Sequence, residues 1–110
     1  MGHMSAQNVS ATQLAMFMTA DDLKKVVHTS LHPHGEAVLR EKLAESKNET
    51  DEGWGHGLYN DIKRSGKVYE PVEMAHSKDT HPYLEEGHHR VAVANALDPK
   101  MLIPVVHHER

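Results

Sequence analysis

The chain contains no cysteine among its 110 residues. Disulfide bonds, thiolate zinc sites and thiol catalysis are therefore excluded together. Aromatic residues make up only 5%, and no apolar run reaches the roughly 18 residues that a membrane-spanning helix needs. A charged-then-apolar leader of the signal-peptide type is also missing. We therefore predict a cytoplasmic protein that makes no contact with a membrane.

The chain also lacks a basic excess, because 12 Lys and Arg stand against 16 Asp and Glu, for a formal charge of -4. Strong sequence-independent DNA binding depends on positive charge, so a nucleic-acid contact here requires a local basic patch. Histidine, in contrast, is abundant, with 11 residues. These groups titrate close to neutral pH, although the count alone assigns them no function.

The chain has room for one domain with a small core. Its first four residues, MGHM, are typical of a cloning remnant. Together with the small and polar residues that follow, they predict a remnant and loose arm over 1–13. Residues 14–110 are then a single domain, whose oligomeric state the sequence leaves open.

Three helical segments are predicted in the first half of the chain. Thr19, with Asp22 three residues later, is typical of a capping box at the start of the first helix. The second helix is predicted over 36–47 and the third over 58–65, each from apolar residues at helical spacing. Gly66 stands where a C-terminal cap belongs.

The second half of the chain has a different pattern. It predicts a strand within 70–76, a second strand over 83–86, a helix over 88–97 and a last strand over 102–108. This order is typical of a β-hairpin followed by a crossover unit. The fold class is therefore α+β.

The corner between the second strand and the last helix reads Gly87-His88-His89-Arg90. A strand that turns directly into a helix exposes the first backbone N–H groups of the helix, which favour an anion. Gly87 allows a sharp turn, Arg90 offers a planar fork to two phosphate oxygens, and His88 and His89 add donors or carry a proton. The alternative is a purely structural turn, with Arg90 paired to one of the two acids before the glycine and the histidines solvated.

An acid–base pair is a further hypothesis for the same region. Glu85 or Glu86 beside His88, with Asp79 and His81 on the preceding turn, would position or deprotonate a nucleophile next to a bound phosphoryl group. The alternative is that Asp79 belongs to a hairpin turn and makes only local hydrogen bonds.

The histidines form no recognisable metal motif. Adjacent histidines, such as His88-His89 and His107-His108, point in different directions in a helix or strand. No His-Glu-x-x-His sequence occurs. We therefore predict scattered surface histidines and no metal site.

The second half of the chain carries five elements in a fixed order. A helix with a "L..SI...G"-like pattern is followed by a Pro-Val strand and a Gly-x-x-Arg turn. A helix of small residues and an Ile-Pro-Val strand come after the turn. The matching residues are Leu58, Ile62, Gly66, Pro71, Val72, Glu86 to Arg90, the helix "VAVANAL" and Ile103 to Val105. This order resembles the ParB-like domain that is shared with sulfiredoxin. The segment "FMTADDL" and the loop with Trp54 also look like small stand-alone ParB-like proteins of actinobacterial phages.

The resemblance implies a ParB/sulfiredoxin-like fold, in which the helices of the N-terminal half pack on a small mixed sheet with a strand-turn-helix anion corner. It implies that Gly87, His88, His89 and Arg90 bind a nucleotide or nucleic-acid phosphate. Glu86 and His88 are the implied catalytic candidates, and a nucleotide with Mg²⁺ is the candidate cofactor.

Departures from the family pattern limit this hypothesis. Sulfiredoxin carries a cysteine in its turn, so sulfinic-acid repair is excluded here. The helix-turn-helix reader and arginine-rich nucleotide motif of partition proteins are not present after the Ile-Pro-Val strand. Two alternatives stay open: a non-enzymatic phage protein that binds a host protein on a degenerate scaffold, and a phosphotransferase or nuclease. Trp54 is either folded over the core or an exposed anchor.

Overall fold

The computed structural model describes residues 15–48 and 57–110. In chain order they form strand β1 (Ala15–Thr19), helices α1 (Ala20–Ser30), α2 (Gly35–Lys47) and α3 (Leu58–Ser65), strands β2 (Val72–His76) and β3 (Tyr83–Glu86), helix α4 (His88–Leu97) and strand β4 (Leu102–Glu109). The predicted arm over 1–13 and the predicted loop around Trp54 lie outside the described residues.

The four strands form one mixed sheet in the order β1-β4-β2-β3. Strand β4 pairs with β1 in antiparallel and with β2 in parallel orientation, and β2 pairs with β3 in antiparallel orientation. The parallel connection from β2 to β4 thus contains β3 and α4, which confirms the predicted hairpin and crossover. The α+β class and the mixed sheet are also confirmed.

Strand β1 is the element that the sequence did not predict. Its register with β4 places Phe17 opposite Pro104 and Thr19 opposite Leu102. The segment has no β-branched residue before Thr19, and β-propensity depends largely on packing against neighbouring strands. Only the pairing with β4 makes this segment a strand.

Helix α4 lies at the centre of the core. Its residues Val91, Ala92, Val93 and Ala94 are all buried, and the helix contacts α1, α2, α3 and β2. Four consecutive apolar residues cover every side of a helix, so the middle of α4 is suited to such a position. In the described ranges, no helix is long and apolar enough to cross a membrane.

The first-half helices follow their predicted signals. The Thr19 Oγ1 accepts a hydrogen bond of 3.1 Å from the Asp22 N–H, and Gly66 ends α3 with a φ of 73°. Leu39 is buried and Leu43 packs against the core. Helix α2 therefore covers the protein's own core, as its amphipathic pattern predicts.

Gly87 joins β3 to α4 and has two reasons to lack a side chain. Its φ is 106°, a conformation that L side chains rarely adopt. A Cβ at this position would also lie 2.5 Å from Val72 Cγ1 and 2.7 Å from Val72 Cβ. The start of α4 can therefore lie directly on β2 only because this residue is glycine.

We expect Gly87→Ala to lower the free energy of unfolding by about 3 kcal/mol, from backbone strain together with overpacking against Val72. Gly66→Ala is the matched control, because Gly66 has a φ of 73° but no atom of the described residues lies within 4 Å of where its Cβ would be. Strain alone predicts a loss of about 1 kcal/mol there. Urea denaturation of both variants measures the difference, and equal losses would refute the role of the Val72 contact.

Candidate functional site

The corner between β3 and α4 presents an uncapped helix N-terminus. Gly87 is the N-cap residue and makes no side-chain capping bond, and the first turn contains no acidic residue. The first helical hydrogen bond runs from the Val91 N–H to the Gly87 carbonyl, at 3.0 Å. The N–H groups of His88, His89 and Arg90 thus have no partner within the helix. No acidic side chain of the first turn itself offsets the positive end of the helix dipole.

The side chains of His89 and Arg90 point toward two different parts of the structure. His89 Nε2 lies 2.7 Å from Glu45 Oε1 on α2. This hydrogen bond lowers the pKa of the Glu45 carboxyl below its usual value. Arg90 instead turns toward the segment before β2, where its NH1 donates to Glu70 Oε1 at 3.3 Å. The side chains of the turn therefore diverge, and their polar groups do not form a single cluster.

His88 is the corner residue with an altered acid–base character. Burial lowers the pKa of its imidazole, and the positive charge of Lys42 on α2 lowers it further. The carboxylate of Glu86 opposes these effects, and the neighbouring His89 adds to them. His88 is consequently held toward its neutral form.

A cavity of about 340 Å³ opens beside Arg90, between α3 and the segment that leads into β2. Leu58, Ile62 and Val68 give it apolar walls, and Tyr69 lines it with a side chain that is 73% exposed. The Arg90 Nε is buried and has no hydrogen-bond partner within the described ranges. A buried guanidinium donor without a partner is unusual and calls for an acceptor.

The charged groups of this cavity are mostly cationic. Arg64, Lys67 and Arg90 line it together with Asp61 and Glu70. Arg64 is bound to Asp61 at 2.7 Å, and Arg90 is bound to Glu70. Lys67 has no ion-pair partner in the part of the chain that the structure describes. The cavity therefore has a surplus of positive charge although the whole chain is acidic.

The structure corrects the ion pairs that the sequence suggested for this corner. Arg90 does not pair with either acid before the glycine, because Glu70 is its partner. Glu85 is bound instead by Arg110, at 3.0 and 2.7 Å. Glu86 stays exposed and acts on His88 only through its charge. Of the two acids, Glu86 alone keeps the position expected of an acid–base partner.

The other proposed acid–base residues lie at a different place. Asp79 and His81 are exposed in the turn between β2 and β3, and they line a cavity of about 460 Å³ with Thr29 and Ser30 of α1. This cavity shares no lining residue with the one beside Arg90. The structure therefore does not bring Asp79 and His81 together with Arg90.

The residues that sequence reasoning missed are Tyr69, Glu70 and Lys67. They belong to the connection between α3 and β2, and Glu70 is 20 residues before Arg90. No local pattern links residues at that separation, since the contact depends on how α4 lies on the sheet. The one available signal was the cluster of aromatic and charged residues in a short connection, because such segments commonly carry binding residues.

The histidines of β4 diverge as predicted for neighbours in a strand. His107 Nε2 lies 3.0 Å from His76 Nδ1, with the two rings stacked. His108 Nε2 lies 2.9 Å from Glu73 Oε1. All three histidines are half-buried and have partners. The prediction of scattered surface histidines was therefore wrong for this part of the sheet.

We expect acid to destabilise the fold partly through His88. Its folded-state pKa is lowered, so the unfolded chain binds more protons than the folded one below about pH 6.5. The stability contributed by neutral His88 is thus complete above that pH and is lost as the pH falls through the lowered folded-state value. His88→Gln should flatten the fall in unfolding free energy between pH 7 and pH 5, as measured by urea denaturation.

His81→Gln is the control for this measurement, because His81 is exposed in a turn. Its pH profile should match that of the unchanged protein. A profile for His88→Gln that is as steep as that of the unchanged protein would contradict the assignment.

Comparison of the chain with protein-family models, with curated proteins and with solved structures finds no match. The resemblance to ParB-like proteins thus stays a prediction from the residue pattern.

Proposed function

We propose that the chain binds a phosphate-bearing ligand, and in the first place a nucleotide, at the Gly87–Arg90 turn. The observation that carries the proposal is the Arg90 guanidinium, whose buried Nε has no partner among the described residues. It lies at the uncapped N-terminus of α4 and lines a cavity. The resemblance of the turn to that of ParB-like domains supports the same ligand class.

The backbone and the guanidinium would hold the phosphate together. The N–H groups of His88 and His89 donate to phosphate oxygens, and the helix dipole favours the negative charge. Arg90 contributes a charge-assisted fork. Its present partner Glu70 is 78% exposed in its side chain. An exposed pair of this kind is worth little, so a phosphate can replace Glu70 at low cost.

The cavity beside Arg90 supplies a place for the remainder of a nucleotide. Its volume of about 340 Å³ is at the lower end of the range for small-molecule sites. The apolar walls suit a base or sugar face, and the exposed ring of Tyr69 offers a surface for stacking. Lys67 provides a second cation for the phosphates.

Two alternative functions keep support from specific residues. The charge of Glu86 acts on the half-buried imidazole of His88, which suits a phosphotransferase or nuclease that uses Mg²⁺ with a bound nucleotide. A non-enzymatic protein that binds a host protein is favoured by Phe17 and Leu102, which are 66% and 60% exposed. Both side chains lie on the sheet face opposite Ile103, because neighbours in a strand alternate.

We expect Arg90→Ala to weaken nucleotide binding at least about tenfold, since hydrogen bonds to charged groups contribute roughly 1.5–3 kcal/mol. Glu70→Gln is the matched variant, because it breaks the same ion pair but leaves the guanidinium in place. It should strengthen binding, as a competing carboxylate is removed. Titration calorimetry and thermal shift with ATP, CTP and inorganic phosphate measure both effects, and the two variants must fold like the unchanged protein.

Arg40→Ala serves as a second control, because Arg40 is an exposed cation on α2 that is paired with Glu36. The proposal is wrong if Arg90→Ala binds nucleotide as tightly as Arg40→Ala. Single-stranded DNA at several salt concentrations separates a nucleic-acid ligand from a free nucleotide. The enzymatic alternative would be favoured if the unchanged protein released phosphate from ATP in the presence of Mg²⁺ and Glu86→Gln did not.

A further inference from the structure

Three potential metal ligands converge on the outer face of the sheet, and none of them belongs to the Gly87–Arg90 turn. They are Glu73 of β2, Glu85 of β3 and His108 of β4, and their ligand atoms all lie within 4.8 Å of one another. Glu73 Oε1 and His108 Nε2 are 2.9 Å apart. All three residues are half-buried. The group combines two carboxylates with an imidazole, and each ligand comes from a different strand.

Strand geometry explains why these side chains share a face. Val72 and Met74 are buried against the helices, so Glu73 between them points to the opposite face. On β4, Val105 is buried and His108 lies three residues later, which places it on that same outer face. The ligands are thus held on paired strands and not on loops, which favours a fixed geometry.

A β-bulge lies beside the third ligand, Glu85. Glu73 is opposite Glu86, but the next pair joins Met74 to Leu84, so Glu85 has no partner of its own in the ladder. A bulge of this kind re-aims a side chain, and bulges are frequent beside functional sites. Because Leu84 is buried and pairs with Met74, alternation places Glu85 on the outer face beside Glu73 with or without the extra residue.

The guanidinium of Arg110 already lies against this group of ligands. Arg110 binds both oxygens of Glu85, and this bond lowers the pKa of the Glu85 carboxyl below its usual value. Two carboxylates so close together repel each other unless a positive charge lies between or beside them. The Arg110 guanidinium, on a side chain that is half exposed, supplies that charge.

We propose that Glu73, Glu85 and His108 form a binding site for a first-row divalent cation such as Zn²⁺, and that the ion displaces Arg110 from Glu85. Zinc binds imidazole nitrogen and carboxylate oxygen at about 2.0–2.2 Å, and three protein ligands leave a position for water. Ligand atoms around one such ion lie about 3–3.5 Å apart. The present spacings reach this range with small side-chain rotations.

This site shares no residue with the proposed phosphate turn. None of its three ligands, nor Arg110, lines the cavity beside Arg90. A divalent ion would balance the two carboxylates fully, whereas the single guanidinium balances only one of them. Different variants therefore test the two proposals, because Arg90→Ala removes no metal ligand, and Glu85→Gln and His108→Ala remove no residue of the turn.

Titration calorimetry with Zn²⁺ tests the site in the full chain. His3, close to the terminal amine, is itself able to chelate metal, so every protein in the series carries His3→Ala. We expect one tight equivalent of Zn²⁺. Glu85→Gln and His108→Ala should each weaken it by at least about tenfold, while Arg110→Ala should strengthen it because the competing cation is removed.

His107→Ala is the matched control, since His107 precedes His108 on β4 but faces His76 on the other side of the sheet. This variant should keep the tight equivalent. The histidine NMR spectrum should show a Zn²⁺-dependent change at His108 before any at His81, and circular dichroism checks that each variant is folded. The proposal is overturned if no tight equivalent is found, if Glu85→Gln leaves it intact, or if His107→Ala removes it as fully as His108→Ala.

Discussion

The close contact between Gly87 and Val72 is the constraint on which the rest of the structure depends. Because no Cβ separates the two residues, β3 can end on β2 and continue at once into α4. Helix α4 then enters the core with four consecutive buried residues and contacts the other three helices. The same entry angle leaves its N-terminus uncapped and directs Arg90 toward α3. Core packing and the candidate phosphate site thus have one common origin.

In each of the two candidate ligand sites, a charged binding residue is paired with an exposed residue of opposite charge. The binding residue is a cation at the turn and an anion on the sheet. At the turn, the cation Arg90 is bound by Glu70, whose side chain is largely exposed. On the sheet, the anion Glu85 is bound by Arg110, whose side chain is half exposed. Each internal partner pairs with one ionised group of its site while no ligand is bound, and each is exposed enough to be replaced at low cost. An acidic chain can in this way offer a local anion site and a separate cation site.

Short sequence patterns correctly predicted the helix ends and the core-facing residues that depend on contacts between near neighbours in the chain. Thr19 bonds to the Asp22 N–H as its capping pattern indicated, Gly66 ends α3, and Leu39 faces the core. The Gly-His-His-Arg turn was also identified, since a strand, a glycine and a helix follow one another directly in sequence. Strand β1 was missed, because the segment is a strand only through hydrogen bonds to β4, more than 80 residues away.

The partners of the candidate residues could not be predicted for a related reason. The pairs Arg90 with Glu70, His89 with Glu45 and Arg110 with Glu85 span 20, 44 and 25 residues. No periodicity connects positions so far apart, because such pairing follows from how packed elements lie against one another. Side-chain direction alone was predictable for His107 and His108, since alternation is a property of any strand.

The amino-acid sequence by itself determined the α+β class, the helix ends and the glycine corner, because each depends on residues within one or two turns of the chain. The tertiary structure decided which charges meet. It turned Arg90 toward a cavity beside α3, and by pairing β2 with β3 and β4 it brought Glu85 to Glu73 and His108. Sheet register and helix packing are properties of the assembled core, and they alone bring together side chains from different strands.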